Sequence, residues 1–185
     1  MNKVRDTLPE NVKKFFNRLS SYLDTELYFY GSVNRSDYIH GKSDIDIAIF
    51  TDNEESMITK LQHFLHVKRD TFSKVVWKLE GKMLYGYKIK CDNHTDINIK
   101  CEIAIYNEEY KEQLLKEMKS YNSVPFFLSI ILTILKTFHY IIPVLSDKSY
   151  MFCKNYFFDK ILLNKKDNVF FVIKSDKYKD NDKDK

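Results

Sequence analysis

Glycine and proline are scarce in this chain, with four and three among 185 residues. That scarcity excludes collagen-like and Gly/Pro-rich low-complexity architectures. Cysteine is scarce as well: Cys91, Cys101 and Cys153 form no Cys-x-x-Cys pair, and no Cys/His cluster has zinc-site spacing. An odd, dispersed set predicts free thiols in a reducing compartment and no disulfide framework. Nor is there much excess charge of one sign. Lys plus Arg number 30 against 26 Asp plus Glu, a formal net charge of +4. Five lysines and four aspartates in Lys174–Lys185 supply +1 of this, which leaves +3 for the body. A mildly basic body permits a polyanionic partner without requiring one. The stretch Met1–Glu10 is polar and lacks the apolar run of a secretory signal, so the expected location is cytoplasmic.

What the chain does have is enough apolar and aromatic material, 44% and 15%, to bury a core. Its length suits one compact domain with a short helical annex. The expected division is a core over 1–122, a helical annex over 123–174 and a disordered charged tail over 175–185. One segment, Pro125–Leu145, is long enough to resemble a membrane span. Within it, however, Ser129, Thr133, Lys136, Thr137 and Tyr140 recur at helical spacing as a polar stripe, and Lys136 and His139 would be costly in lipid. The reading is a buried core helix with one face turned to a site, and no membrane partner is expected.

Periodicity supplies the remaining elements. Val12, Phe15, Phe16, Leu19 and Leu23 predict a helix over Leu8–Asp24, with Pro9 in its first turn. Leu27–Tyr30 reads as a strand stopped by Gly31, and Ile45, Ile47 and Ile49 alternate with Asp44, Asp46 and Ala48 as a second strand. A helix over Glu54–Arg69 follows. Lys82–Cys91 and Asp96–Tyr106 alternate as a hairpin around the turn chemistry of Asp92–Thr95. Lys82, Lys88, Lys90 and Lys100 share its polar faces, where they either follow a phosphate backbone or form a solvated strand face. Helices are predicted at about 107–121, 125–142 and 148–163, with a last strand at Asn168–Lys174. The order is α+β.

The chemically informative stretch is Leu27–Ser32, then eleven residues, then Asp44-Ile45-Asp46-Ile47-Ala48-Ile49-Phe50. Gly31 after a strand allows a tight turn and a close approach to a ligand. Ser32 adds a hydroxyl and an amide where phosphate oxygens can be held. Asp44 and Asp46, two apart on a strand, project from one face, and two anions that close call for a cation such as a divalent metal. A third carboxylate on a neighbouring strand would complete a two-metal site.

Gly31-Ser32 followed by Asp44-Ile45-Asp46 resembles the signature of the DNA polymerase β-like nucleotidyltransferase superfamily. That superfamily includes poly(A) polymerases, terminal uridylyltransferases and small stand-alone nucleotidyltransferases. The resemblance covers about residues 8–106 in element order, with weaker echoes over 125–163. It implies a mixed sheet flanked by helices and a third carboxylate on the strand after the hairpin. Glu102, within Cys101-Glu102-Ile103-Ala104-Ile105, is favoured for that role, with Asp96 as the competitor. Glu stands here where Asp is usual, and its extra methylene would shift the metal geometry.

The same resemblance gives Lys136 a reach toward the triphosphate, against the plain alternative of a lysine extending to solvent. Ser149-Tyr150 resembles a pair that contacts phosphate and stacks near the base, against an ordinary helix start after Ser146-Asp147. His63 and His66 lack a third ligand and read as surface residues. The implied activity transfers a nucleoside monophosphate from an NTP to an acceptor hydroxyl and releases pyrophosphate. Mg²⁺, or Mn²⁺ in its place, would bind at Asp44, Asp46 and Glu102, with Gly31 and Ser32 at the β- and γ-phosphates. An RNA 3′ end is the favoured acceptor, ahead of a small molecule. The alternative is a non-catalytic nucleotide- or RNA-binding subunit, or one half of a two-component toxin–antitoxin pair.

Overall fold

The computed structural model describes residues 8–92, 99–122, 124–162 and 169–173. Helix α1 (Glu10–Leu23) buries the five apolar residues that predicted it and ends on Asp24 in the left-handed conformation. Strand β1 (Tyr28–Tyr30) follows, then a one-turn 3-10 segment, Gly31–Asn34, and strand β2 (Ile45–Thr51). Helix α2 (Glu54–Leu65) is shorter than predicted. It is capped at the start by Asn53, whose side chain accepts from the Ser56 amide at 2.9 Å, and stopped by the left-handed His66. His63 and His66 are both exposed.

Residues 73–79 form a strand that the sequence reading left out. Strand β3 (Ser73–Leu79) pairs antiparallel with β4 (Lys82–Asp92) through the tight turn Glu80-Gly81, both at positive φ. Such a two-residue turn matches the twist of its flanking strands. Strand β5 (Lys100–Asn107) completes the second hairpin; its connection, with Asp96, lies outside the described residues. Helices α3 (Lys111–Asn122), α4 (Phe126–Lys136) and α5 (Asp147–Leu162) come next, with one π-helical turn, Thr137–Ile141, closing α4. Strand β6 (Val169–Ile173) pairs with β3, so the chain returns to the sheet after the helices. The tail 174–185 lies outside the described residues.

The six strands run in the order β1-β2-β5-β4-β3-β6. Only β2 and β5 are parallel; every other pair is antiparallel. One face of the sheet is apolar across β1, β2 and β5. There Ile45, Ile47, Ile49, Ile103 and Ile105 pack with the buried residues of α1 and α2. The other face is divided. Ala48, Phe50, Ala104 and Tyr106 pack under Leu114 and Met118 of α3. Asp46 and Glu102 share that face, one pleat before Ala48 and Ala104. Cys91 and Cys101 are buried free thiols facing one another across β4 and β5.

The predicted core helix is buried on one side only. Leu128, Ser129, Leu132 and Lys136 of α4 are buried, whereas Phe127, Ile130, Ile134 and Phe138 are exposed. The buried polar stripe is what docks it: Ser129 and Ser36 hydroxyls lie 2.6 Å apart, and Lys136 bonds Asp37 and Ser43. Among the described residues, no helix is long and apolar enough to cross a membrane.

Candidate active site

Four strands place one row of side chains across the divided face. Tyr30 of β1 stands opposite Asp46 of β2, Asp46 opposite Glu102 of β5, and Glu102 opposite Lys90 of β4. Ile45 and Ile47 beside Asp46, and Cys101 and Ile103 beside Glu102, point the other way, into the core, and are 2% exposed or less. That anchoring fixes where the carboxylates emerge. Asp44 sits at the strand entrance and is exposed, while Asp46 is partly buried. Burial first, then the charges of Glu102 and Asp44, push the Asp46 carboxyl up to about 7. Lys154 of α5 and Arg35 pull it the other way.

Gly31 is buried against this row. Its φ is +73°, and a Cβ there would lie 2.6 Å from Asp46 Oδ2. Its amide donates to Asn122 Oδ1 at 2.8 Å, which ties the turn to the end of α3. The Ser32 hydroxyl lies 3.4 Å from the Asp44 carbonyl oxygen, on a partly exposed rim.

Glu102 is not free to lean toward the aspartates. Its Oε1 accepts from Lys88 Nζ at 2.8 Å, and Lys90 Nζ is 3.8 Å from Oε2. Among the described residues, no three His, Cys, Asp or Glu side chains converge as metal ligands. The oxygen donors of Asp44 and Asp46 remain, and hard carboxylate oxygens suit Mg²⁺ or Mn²⁺. Asp46 is also the carboxylate under the greatest anionic crowding, which a cation would relieve.

The helical residues expected at the nucleotide lie behind this row. Lys136 is 5% exposed; its ammonium is 2.9 Å from Asp37 Oδ2, donates to the Asp37 carbonyl oxygen and reaches Ser43. It therefore neither extends to solvent nor presents an uncommitted ammonium. Burial pushes its pKa down, and Asp37 offsets part of that. Asp37 in turn receives Arg35 through two nitrogens, at 2.7 and 3.1 Å. Burial alone would raise the Asp37 pKa, but the Arg35 hydrogen bond and the Lys136 charge outweigh it and hold it low.

Tyr150 is 5% exposed and stacks on His139, with rings 4.4 Å apart and 3° from parallel. Ser149 belongs to the start of α5, where its amide donates to Ser146 Oγ at 3.2 Å and the two hydroxyls lie 3.0 Å apart. That is helix capping. Two rings, Tyr38 and Tyr140, share electrostatic reach with Asp44, and Tyr140 is the one beside Tyr150. Burial and then Asp44 push its hydroxyl pKa up.

Arg35, Asp37, Lys88 and Lys154 organise the site without having been singled out for it from sequence. Lys88 alone carried a signal, as one lysine on the polar face of the predicted hairpin. A family model described as "Nucleotidyltransferase domain" matches residues 9–123. The chain belongs to the nucleotidyltransferase domain family. No curated protein and no solved structure matches it. The matched span of this nucleotidyltransferase runs from α1 to the end of α3 and contains Gly31, Ser32, Asp44, Asp46 and Glu102.

Proposed function

We propose that this nucleotidyltransferase moves a nucleoside monophosphate from an NTP to an acceptor hydroxyl, with an RNA 3′ end as the favoured acceptor. The observation that carries the reading is Asp46 standing in register beside Glu102, with Asp44 two residues earlier on the same strand. Asp44 and Asp46 would hold Mg²⁺ or Mn²⁺. Such an ion, when bound, supplies charge stabilisation to the triphosphate and acidifies a hydroxyl at the site. The chain's own groups do the rest. Gly31 keeps the backbone low beside Asp46 so that a triphosphate can approach, and Ser32 offers its hydroxyl at the rim. Glu102, paired with Lys88, is placed to take the acceptor proton as the hydroxyl oxygen bonds to the α-phosphorus. The α–β phosphoanhydride bond then breaks and pyrophosphate leaves with its electron pair. Lys136 and Tyr150 serve the nucleotide from within the wall, Lys136 by docking α4 on the core and Tyr150 by stacking α5 on His139. Ser149, at the exposed start of α5, serves through the cap it makes with Ser146. Exposed Lys82 and Lys90, which share the Glu102 face of β4, would supply cations to an RNA backbone.

The direct test offers each of four labelled NTPs with Mg²⁺ or Mn²⁺ to a panel of RNA and small-molecule acceptors. Incorporation into RNA is expected, and its loss in Asp44→Asn and Asp46→Asn with the fold intact. Full activity in both variants overturns the proposal. The second reading, a nucleotide- or RNA-binding subunit without turnover, is favoured by one observation, the engagement of Glu102 by Lys88. Saturable nucleotide binding with no incorporation would establish it.

A further inference from the structure

The ion pair on Glu102 bears on how many metal ions the site can hold. Lys88 stands opposite the small Ala104 in the β4–β5 register, one pleat along from Glu102. With only a methyl group in front of it, its long side chain can lie across the sheet face and bring Nζ to 2.8 Å from Glu102 Oε1. Both partners are largely shielded, at 12% and 17% side-chain exposure, whereas Lys90 on the other oxygen is 63% exposed. Shielding is what makes Lys88 the consequential one, since screening by water weakens an exposed charge pair far more than a covered one. The cation is also well matched to its surroundings: Asp46 and Asp44 crowd the same face, and Glu102 contributes to the raised pKa of Asp46.

We infer that Lys88 is the resident cation at the Glu102 end of the site, standing where a second divalent ion would need that carboxylate. The chain then holds one divalent ion, on Asp44 and Asp46, and Lys88 supplies the remaining positive charge. Two further features accord with this. The described side chains offer no three-ligand convergence of carboxylates. The third carboxylate is also a glutamate, whose extra methylene lets it reach across to β4. A divalent ion seated on Glu102 would have to displace a largely shielded ammonium or tolerate its like charge. The inference rests on the proposed nucleotidyl transfer site, but it is tested by counting ions and not by turnover.

Electron paramagnetic resonance with Mn²⁺, on the full chain with a non-hydrolysable NTP analogue, gives that count. Wild type is expected to bind one Mn²⁺ with the spectrum of an isolated ion. Lys88→Met is expected to bind two. A pair about 3.5–4 Å apart couples magnetically and loses the isolated-ion spectrum. Lys88→Arg, which keeps the charge, is expected to stay at one. Two coupled ions in the wild type overturn the inference, and so does a single ion in Lys88→Met. Lys88→Gln serves as a second neutral variant should Met not fold, and the wild-type count is a test in its own right. Asp44→Asn separates the underlying reading: if it retains as much Mn²⁺ as wild type, the metal assignment to Asp44 and Asp46 fails, whatever Lys88 does.

Discussion

Gly31 and Asp46 are fitted to one another: a Cβ at position 31 would fall 2.6 Å from the Asp46 Oδ2 atom. The left-handed φ of +73° adds a second reason for glycine here. Gly31→Ala should therefore lose about 1–2 kcal/mol of stability from backbone strain. It should also push the Asp46 carboxylate from its place, and a displacement on the order of 1 Å can lower the rate about 100-fold. Urea denaturation and NTP incorporation measure the two losses separately. A variant that incorporates normally would show that Asp46 need not sit where the glycine leaves room for it.

That pairing was half legible in the sequence. A strand ending in Gly31-Ser32 and a second strand starting at Asp44 pointed to one site, because period-two alternation fixes which residues share a face. What alternation cannot give is pairing across strands. Asp46 beside Glu102 depends on β2 and β5 being parallel neighbours, and their partnership is set by tertiary packing. Lys88 likewise looked like one solvated lysine among several; the small Ala104 opposite is what lets it fold over onto Glu102. Strand β3 was missed although Lys74 and Lys78 alternate with Val75, Trp77 and Leu79, because Val76 is apolar too and is also buried. The turn signal Glu80-Gly81 was the available clue. The polar stripe from Ser129 to Tyr140 predicts a buried helix with one face turned to a site, whereas Ser129 and Lys136 are buried against the core, Thr133 is exposed and the opposite face of α4 is open. Hydrophobicity alone does not say whether an apolar face is covered.

The Asp46 carboxyl gives the metal-free chain a pH dependence of definite sign. Its pKa rises from 3.8 to about 7 on folding, through burial and then through Glu102 and Asp44. Between those values the folded state binds more protons than the unfolded one, so stability falls as pH rises. The slope approaches about 1.4 kcal/mol per pH unit at its steepest and vanishes above the folded pKa. Asp37, held low, has the opposite sign and acts only at more acid pH. Urea denaturation in EDTA should show wild type weaker at pH 7.5 than at pH 5, with Asp46→Asn losing much of that difference. Added Mg²⁺ should restore wild type at pH 7.5 more than at pH 5, since protons compete for the same oxygens. An identical pH profile in Asp46→Asn would contradict the assignment.

Lys136 and Asp37 form a buried ion pair, with side chains 6% and 0% exposed. Removing one partner of such a pair strands a charge, at about 3–5 kcal/mol. Lys136→Met should thus destabilise the fold by that order, and Asp37→Asn should lose stability too because it removes the carboxylate charge that Lys136 and Arg35 share. The double variant Asp37→Asn with Lys136→Met should be less impaired than the sum of the two. A double-mutant cycle by urea denaturation measures the coupling. If Lys136 instead binds the triphosphate directly, Lys136→Met will raise the KM for NTP at nearly unchanged stability.

Tyr140 and Tyr150 are near neighbours, with ring centroids 5.8 Å apart, yet their surroundings assign them different work. Tyr150 is enclosed, stacked on His139 and 5% exposed. Truncating a buried aromatic to alanine typically costs about 3–5 kcal/mol. Tyr150→Ala should fall in that range, while Tyr150→Phe keeps the stack and should lose only about 1 kcal/mol with the hydroxyl. Tyr140 is partly exposed and lies within reach of the Asp44 charge, where a flat ring can meet a nucleobase. Tyr140→Ala is expected to raise the KM for NTP several-fold, and a base–aromatic stack worth about 1–3 kcal/mol sets the scale. Tyr140→Phe should restore most of that affinity. If Tyr150→Ala raises KM and Tyr150→Phe restores it while Tyr140→Ala leaves KM unchanged, the base-stacking role belongs to Tyr150 and its present enclosure must open when nucleotide binds.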